Sequence, residues 1–389
     1  MATIIISPCN VVNSIDVGGH FWVYMQYAQA LGRLGCEVYW LERFHSSGDQ
    51  DLDAAMLETF LKQMERYGLG GRTILYTSSE QKNEPGNEDR GPRKYIGLTA
   101  SQAKAVFRRA DLLLNFHYEI DPSLLSCFRR TALVDIDPGL LQFWITNRQL
   151  VVPRHDLYFT TGETVGTQSA GFPDCSLPWI HIRPPICLEQ WPWMYNSNCE
   201  AFTTISSWWG ETDWITIGKQ VLYVNTKRAS FLEFMELPHR TKQVLELALY
   251  LGEGDEMDRQ TLESYGWRVR HSSEVSATPE SYQSYIQQSR GEFSCAKPSC
   301  MRFQNAWISD RTLCYLASGK PVVVQNTGPS SFLPNGEGIF RFLTLKEAAD
   351  ALATINADYE RHCRAAREIA ESYFDAKLVL ERILSFALH

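Results

Sequence analysis

The sequence predicts an α/β protein made of two doubly wound parallel-sheet domains that face each other across a central cleft. Three observations carry this expectation. Short β-branched runs without polar alternation, of which Val322-Val-Val324 is the clearest, read as strands covered on both faces. These runs alternate with amphipathic stretches of helical period, the pattern of consecutive βαβ units. The series occurs twice, on either side of a Pro- and Trp-rich stretch, and 389 residues exceed what one ordinary core accommodates.

Thr3-Ile-Ile-Ile6 reads as the opening strand, residues 7–19 as a polar loop, Phe21 to Leu34 as a helix stopped by Gly35, and Cys36 to Leu41 as the second strand. A helix over Asp51 to Arg66, a strand at Thr73 to Tyr76, a helix over Ser101 to Arg109 and strands at Asp111 to Asn115 and Thr131 to Asp135 continue the first Rossmann-like domain. Ser78 to Lys94 is polar and aperiodic, as an exposed loop is. From about Thr160 to Asp213 the pattern dissolves around Pro184-Pro185 and Trp191-Pro-Trp193, which places the region between domains there. The second series begins with a strand at Gln220 to Val224, then a helix over Arg240 to Leu251, a strand at Trp267 to His271, a helix over Ser281 to Gln288 and a strand at Gly291 to Ser294. In the next helix Leu313, Leu316 and Ala317 share one face, Gly319 supplies the left-handed stop and Pro321 forbids continuation before the valine strand. Helices over Leu345 to Ser372 and Lys377 to Phe386 close the chain. The expected domains are 1–200 and 201–370, with a terminal helix at 371–389.

Composition narrows the class. A net charge of -8 lacks the clustered Lys and Arg that nucleic-acid binding needs. No apolar run reaches the roughly 18 to 20 residues that span a bilayer, and the start lacks a basic, cleavable leader, so a cytoplasmic protein is expected. The ten cysteines contain no CxxC pair, which argues for reduced thiols rather than zinc or redox chemistry.

In facing doubly wound domains, ligands bind at the carboxyl ends of the strands, so the loops there are the candidate site. In Asp16-Val-Gly-Gly-His20, Gly18 and Gly19 permit a tight turn and close backbone approach, and His20 at the helix start is a candidate general base, with capping or cleft lining as the alternative. After the Gly291 strand, Lys297 can neutralise a diphosphate and Glu292 can accept from a hydroxyl; exposed charges at a strand end are the plainer reading. Ser309 and Asp310 suit the start of a helix by capping and dipole. Arg311 opposes that dipole unless an anion lies nearby, and Lys227 is placed to help hold such an anion. Asp135 and Asp137 end a buried strand before Pro138-Gly139, as turn and cleft lining in preference to a metal site. Thr327 and Gly328 turn the chain beyond the valine strand.

Together these segments resemble the glycosyltransferases of the GT-B fold, a bacterial group in particular. The resemblance rests on Gly18-Gly-His-Phe-Trp22, Asp135-x-Asp-Pro138, Arg183-Pro-Pro185, Phe202-Thr-Thr204, Ser289-Arg-Gly-Glu-Phe293 with Lys297, Ser309-Asp-Arg311 and Tyr315-Leu-Ala-Ser-Gly-Lys-Pro321. It implies donor binding by the second domain, acceptor binding by the first, and terminal helices packed back toward the first. It further implies metal-independent transfer of a hexosyl group from a nucleoside-diphosphate sugar such as a UDP-sugar to a small molecule or glycan, with no other cofactor. Lys227, Lys297, Ser309, Asp310, Arg311, Thr327 and Gly328 would serve the donor, with Glu292 or Asp310 on its hydroxyls; Gly18, Gly19, Asp135 and Asp137 would line the acceptor cleft. The sequence departs from the retaining members' paired glutamates, because Ala306 and Cys314 stand in their places. A sugar-nucleotide epimerase of the same architecture and a non-catalytic nucleotide-sugar-binding protein are the alternatives.

Overall fold

The computed structural model describes residues 1–77, 93–210 and 214–388. The first half carries an eight-stranded sheet of β1 (Thr3–Ser7), β2 (Glu37–Arg43), β3 (Thr73–Thr77), β4 (Lys94–Ile96), β5 (Leu112–Asn115), β6 (Thr131–Asp135), β7 (Leu157–Thr160) and β8 (Trp179–His181), in the order β4-β3-β2-β1-β5-β6-β7-β8. All neighbours are parallel except β3 and β4. Ile4, Ile5 and Ile6 are all fully buried, which is why that run shows no polar alternation. The order reverses at β1, whose carboxyl end therefore opens on a crevice. The expected loop at 78–94 falls, but for its last two residues, outside the described residues.

The second half carries β9 (Ala201–Ser207), a two-stranded hairpin of β10 (Trp214–Ile217) and β11 (Gln220–Val224), then β12 (Val244–Tyr250), β13 (Arg268–His271), β14 (Gly291–Ser294), β15 (Val322–Gln325) and β16 (Ile339–Phe342). Its main sheet is parallel throughout, in the order β13-β12-β9-β14-β15-β16, and reverses at β9. Three expectations are corrected here. The expected helix over Arg240 to Leu251 is strand β12, because pairing on both edges overrides the helix propensity of its Leu, Glu and Ala. The second sheet starts at β9, inside the stretch read as irregular; its polar Thr203 is buried but bonded to Ser289 and Tyr315 hydroxyls at 2.6 Å each. Gln220–Val224 belongs to the separate hairpin, with Val221 and Leu222 exposed.

The closing helix splits at Asp358 into Leu345–Ala357 and Tyr359–Ile369, then passes through a π turn at Ala370–Phe374. The chain crosses back where Ile186 N donates to Phe374 O (2.8 Å) and Ala376 N to Ile186 O (3.0 Å), and the Ala376–Ala387 helix packs on the Gly18–Arg33 helix of the first half.

Candidate active site

The first helix starts at Gly18, so Gly18, Gly19 and His20 form its first turn and are not a preceding loop. Neither glycine makes a tight turn. A Cβ on Gly18 would lie 2.3 Å from the Thr278 carbonyl oxygen, and one on Gly19 would lie 2.7 Å from the Tyr282 ring. Both residues are glycine because the Pro279–Gln288 helix of the second half sits directly on them. Trp22 fixes this contact by donating from Nε1 to Pro279 O at 2.9 Å.

That approach encloses a cavity of about 390 Å³ between the halves. Asp16, Val17 and Gly19 line it from the first half, and Ser309, Asp310 and Arg311 line it from the second, together with Ser206, Ser207, Tyr250, Ser272 and Ser273 at the ends of β9, β12 and β13. Two helix N-termini therefore open on one space, the arrangement that favours an anion. Ser309 occupies the N-cap position of the Asp310–Ala317 helix but makes no side-chain capping bond.

Arg311 has its anion inside the protein. Its Nε donates to Glu292 at 2.8 Å, its Nη1 to the Ile205 carbonyl at 2.7 Å and its Nη2 to Ser294 Oγ at 2.5 Å. Glu292 is fully buried, so it positions Arg311 and does not meet a ligand hydroxyl. Arg311 nonetheless lines the cavity. Lys227 is buried, with its ammonium on the Cys295 carbonyl and 5.6 Å from the Trp307 ring. Burial and then the charges of Arg311 and Lys297 bring it down to about 7. Burial, with the charge of Asp137 adding, raises Asp310 to about 7.

A larger cavity of about 720 Å³ opens in the first half at the ends of β1, β5 and β6. His20, Tyr24, Tyr118, Asp137, Trp144 and, from the hairpin of the second half, Trp214 line it; Val17 lines both this cavity and the smaller one. His20 lines the larger cavity, and its neighbour Gly19 the smaller one. Its Nε2 donates to the Cys9 carbonyl at 2.8 Å, which leaves Nδ1 as the basic nitrogen. The Asp137 carboxyl accepts from Tyr118 at 3.1 Å; crowding by protein raises it above the usual range, while Lys297 and His20 pull it down. It touches solvent in the cleft despite that crowding.

The remaining expected residues support the site from behind. Asp135 is fully buried, held by Gln142 and Thr160 at 2.8 Å each and by the Asp137 amide at 3.0 Å, so it shapes the turn and lines no cleft. Thr327 ties its hydroxyl to Trp307 O at 2.6 Å and shares a small recess with Ser294 and Gln325. Gly328 is needed for close packing, since a Cβ there would lie 2.5 Å from the Gln304 carbonyl. Cys314 is buried, its Sγ on Asp310 O at 3.3 Å. Ser206, Ser207 and Tyr250 escape the sequence reading because their strands, β9 and β12, read as irregular chain and helix, whereas Ser272 and Ser273 follow β13, a strand the sequence does show, without any signal of their own.

An α-glucosyltransferase in complex with UDP superimposes with a TM-score of 0.62 at 11% identity, covering 100% of both chains. Anabaena Alr3699/HepE with UDP and glucose gives 0.58 at 12% identity over 99% of each chain. The fold is that of the GT-B glycosyltransferases. Sucrose-phosphate synthase from Thermosynechococcus elongatus shares it, with a TM-score of 0.58 at 11% identity over 99% of this chain and 98% of its own. The α-glucosyltransferase is also known with UDP and a 13-mer DNA, at 10% identity and a TM-score of 0.62 over 100% of this chain and 99% of its own. No family model matches the chain, and no curated protein matches it in sequence. Among the described residues no helix is long and apolar enough to cross a membrane.

Proposed function

We propose that this chain transfers a hexosyl group from a UDP-type nucleotide sugar to a small-molecule or glycan acceptor, without a metal. The observation that carries this reading is the pair of helix N-termini, at Gly18 and Asp310, opening on one cavity beside Arg311. A diphosphate there would meet the helix starts of both halves and Arg311, with Lys227 and Lys297 adding positive potential from outside the cavity lining, and these stabilise the charge that develops as it leaves. Those cations are the support for metal independence. Tyr250 and the serines at the strand ends suit the base and ribose, and Asp310 suits a ribose hydroxyl where the buried Cys314 offers nothing.

The acceptor occupies the larger cavity. In an inverting displacement its hydroxyl oxygen attacks the anomeric carbon, the bond from that carbon to the phosphate oxygen breaks, and His20 Nδ1 takes the hydroxyl proton with Asp137 balancing its charge. A separate cavity of about 720 Å³ favours transfer over epimerisation, which needs no second substrate. The net charge of -8 favours a glycan or small molecule over the DNA seen with one structural neighbour.

The test is a melting-temperature screen with UDP-, GDP- and dTDP-sugars, followed by UDP release in the presence of acceptor pools. A UDP-sugar should raise the melting temperature, Lys297→Ala should remove most of that rise, and His20→Ala should abolish release while keeping the rise. Absence of a shift with every nucleotide sugar overturns the reading.

A further inference from the structure

A third cavity, of about 330 Å³, lies at the rear of the junction between the halves and takes no part in the transfer described above. Glu163 and Arg183 line it from the first half, Ser331 and Phe332 from the second, and Tyr373 and Arg382 from the returning C-terminal segment. All three parts of the fold meet there.

Arg183 is half-buried and Arg382 is exposed. Arg311, Arg228 and Arg93 each hold a carboxylate. Among the described residues neither Arg183 nor Arg382 forms an ion pair. The Arg183 guanidinium lies 4.0 Å from the Phe332 ring centre and 5.3 Å from that of Tyr373, with one long bond, to Tyr373 O at 3.5 Å. Arg382 donates from Nε to His181 O at 3.2 Å. Burial lowers the Arg183 guanidinium from its ordinary range; the charge of Glu163 works against this, and Arg382 adds a smaller repulsion.

The Glu163 carboxylate faces the same space, but its oxygens are taken by the Ser330 hydroxyl at 2.5 Å and by the amide and hydroxyl of Ser331 at 2.6 Å each. His181 donates Nε2–H to Val165 O at 2.8 Å. Two guanidinia against one committed carboxylate leave a net positive cavity.

We propose that this cavity binds a phosphorylated small molecule, with its phosphate between Arg183 and Arg382 and its body against Phe332 and Tyr373. Guanidinium forks match phosphate oxygens, and the volume sits at the low end of small-molecule pockets, roughly 300–1,000 Å³, enough for a sugar phosphate. Bound there, the ligand touches both halves and the terminal helix and holds them together. Ile308 lines this cavity and the adjacent Ser309 lines the donor cavity, so the two sites share one short segment.

The test is calorimetry on the full chain with ribose 5-phosphate, inorganic phosphate and ribose, each with and without saturating UDP. Ribose 5-phosphate should bind one site per chain in both conditions, inorganic phosphate more weakly, and ribose not at all. Arg382→Ala, an exposed position that leaves folding intact, and Arg183→Ala should each weaken ribose 5-phosphate by about tenfold or more, the loss of a charge-assisted pair. Both should leave UDP affinity unchanged. Inorganic phosphate that binds as tightly as ribose 5-phosphate, and weakens in both variants, would assign the site to the free anion and overturn the sugar-phosphate part. Displacement of ribose 5-phosphate by UDP, equal affinity in both variants, or no binding of either phosphate overturns the site itself. Should UDP not bind while the arginine-dependent phosphate site does, the donor reading fails and this one stands.

Discussion

The two helix starts that face the donor cavity solve opposite problems. The Gly18–Arg33 helix opens with no side chain at two successive positions, because the backbone of Thr278 and the ring of Tyr282 already fill that space. The Asp310–Ala317 helix opens with two charges, and its cation is tolerated because Glu292, fully buried beneath it, supplies the anion. One start is shaped by what must be absent and the other by what must be balanced. A residue at a helix N-terminus thus reports on its neighbours before it reports on a ligand.

Removing the balance should have the largest effect. Arg311→Ala strands a buried carboxylate and should cost about 3–5 kcal/mol in denaturant unfolding, with Arg311→Ala/Glu292→Leu recovering much of it. A cost below about 1 kcal/mol would show that Glu292 is solvated or neutral. Filling the empty start comes next. Gly18→Ala should destabilise by at least the roughly 1–3 kcal/mol of core overpacking, since its Cβ meets backbone that cannot rotate away.

Charge at the second start should also set the pH dependence of donor binding. Asp310, raised to about 7 by burial and by Asp137, is neutral below that pH and an anion above it. Lys227, lowered to about 7 by burial and by neighbouring cations, is charged below and neutral above. Both changes remove positive potential as pH rises from 6 to 8, so UDP affinity should fall several-fold, and Asp310→Asn should flatten part of the fall. An affinity that rises with pH contradicts this. The smallest effect belongs to Gly32, in the first helix but with open space around it, where Ala should stabilise by about 0.5–1 kcal/mol in thermal melts.

The sequence made β1, β2, β3, β5, β6 and the valine strand legible, because short apolar runs buried on both faces show no helical period, but it passed over β4, β7 and β8 of the first sheet. It misread β12, where Val244 to Tyr250 is rich in helix formers and only the flanking strands decide the matter. It passed over β9, whose threonines and serines look like loop until their buried partners are known. Gly18, Gly19, His20, Asp310 and Arg311 stand out in the sequence by helix-start chemistry, and the structure places Gly19, Asp310 and Arg311 on the smaller cavity and His20 on the larger. The reasons were not readable, since Thr278 and Glu292 lie far off in sequence. Asp135 and Glu292 looked like cleft acids because strand-end position does not reveal which way a carboxylate points, and the structure buries both.

Hydrogen exchange on the full chain with and without UDP tests the shared cavity most directly. The account predicts that UDP protects amides at both helix starts, residues 16–20 and 309–312, and at the end of β9. Protection confined to the second half, or none at either start, would contradict it.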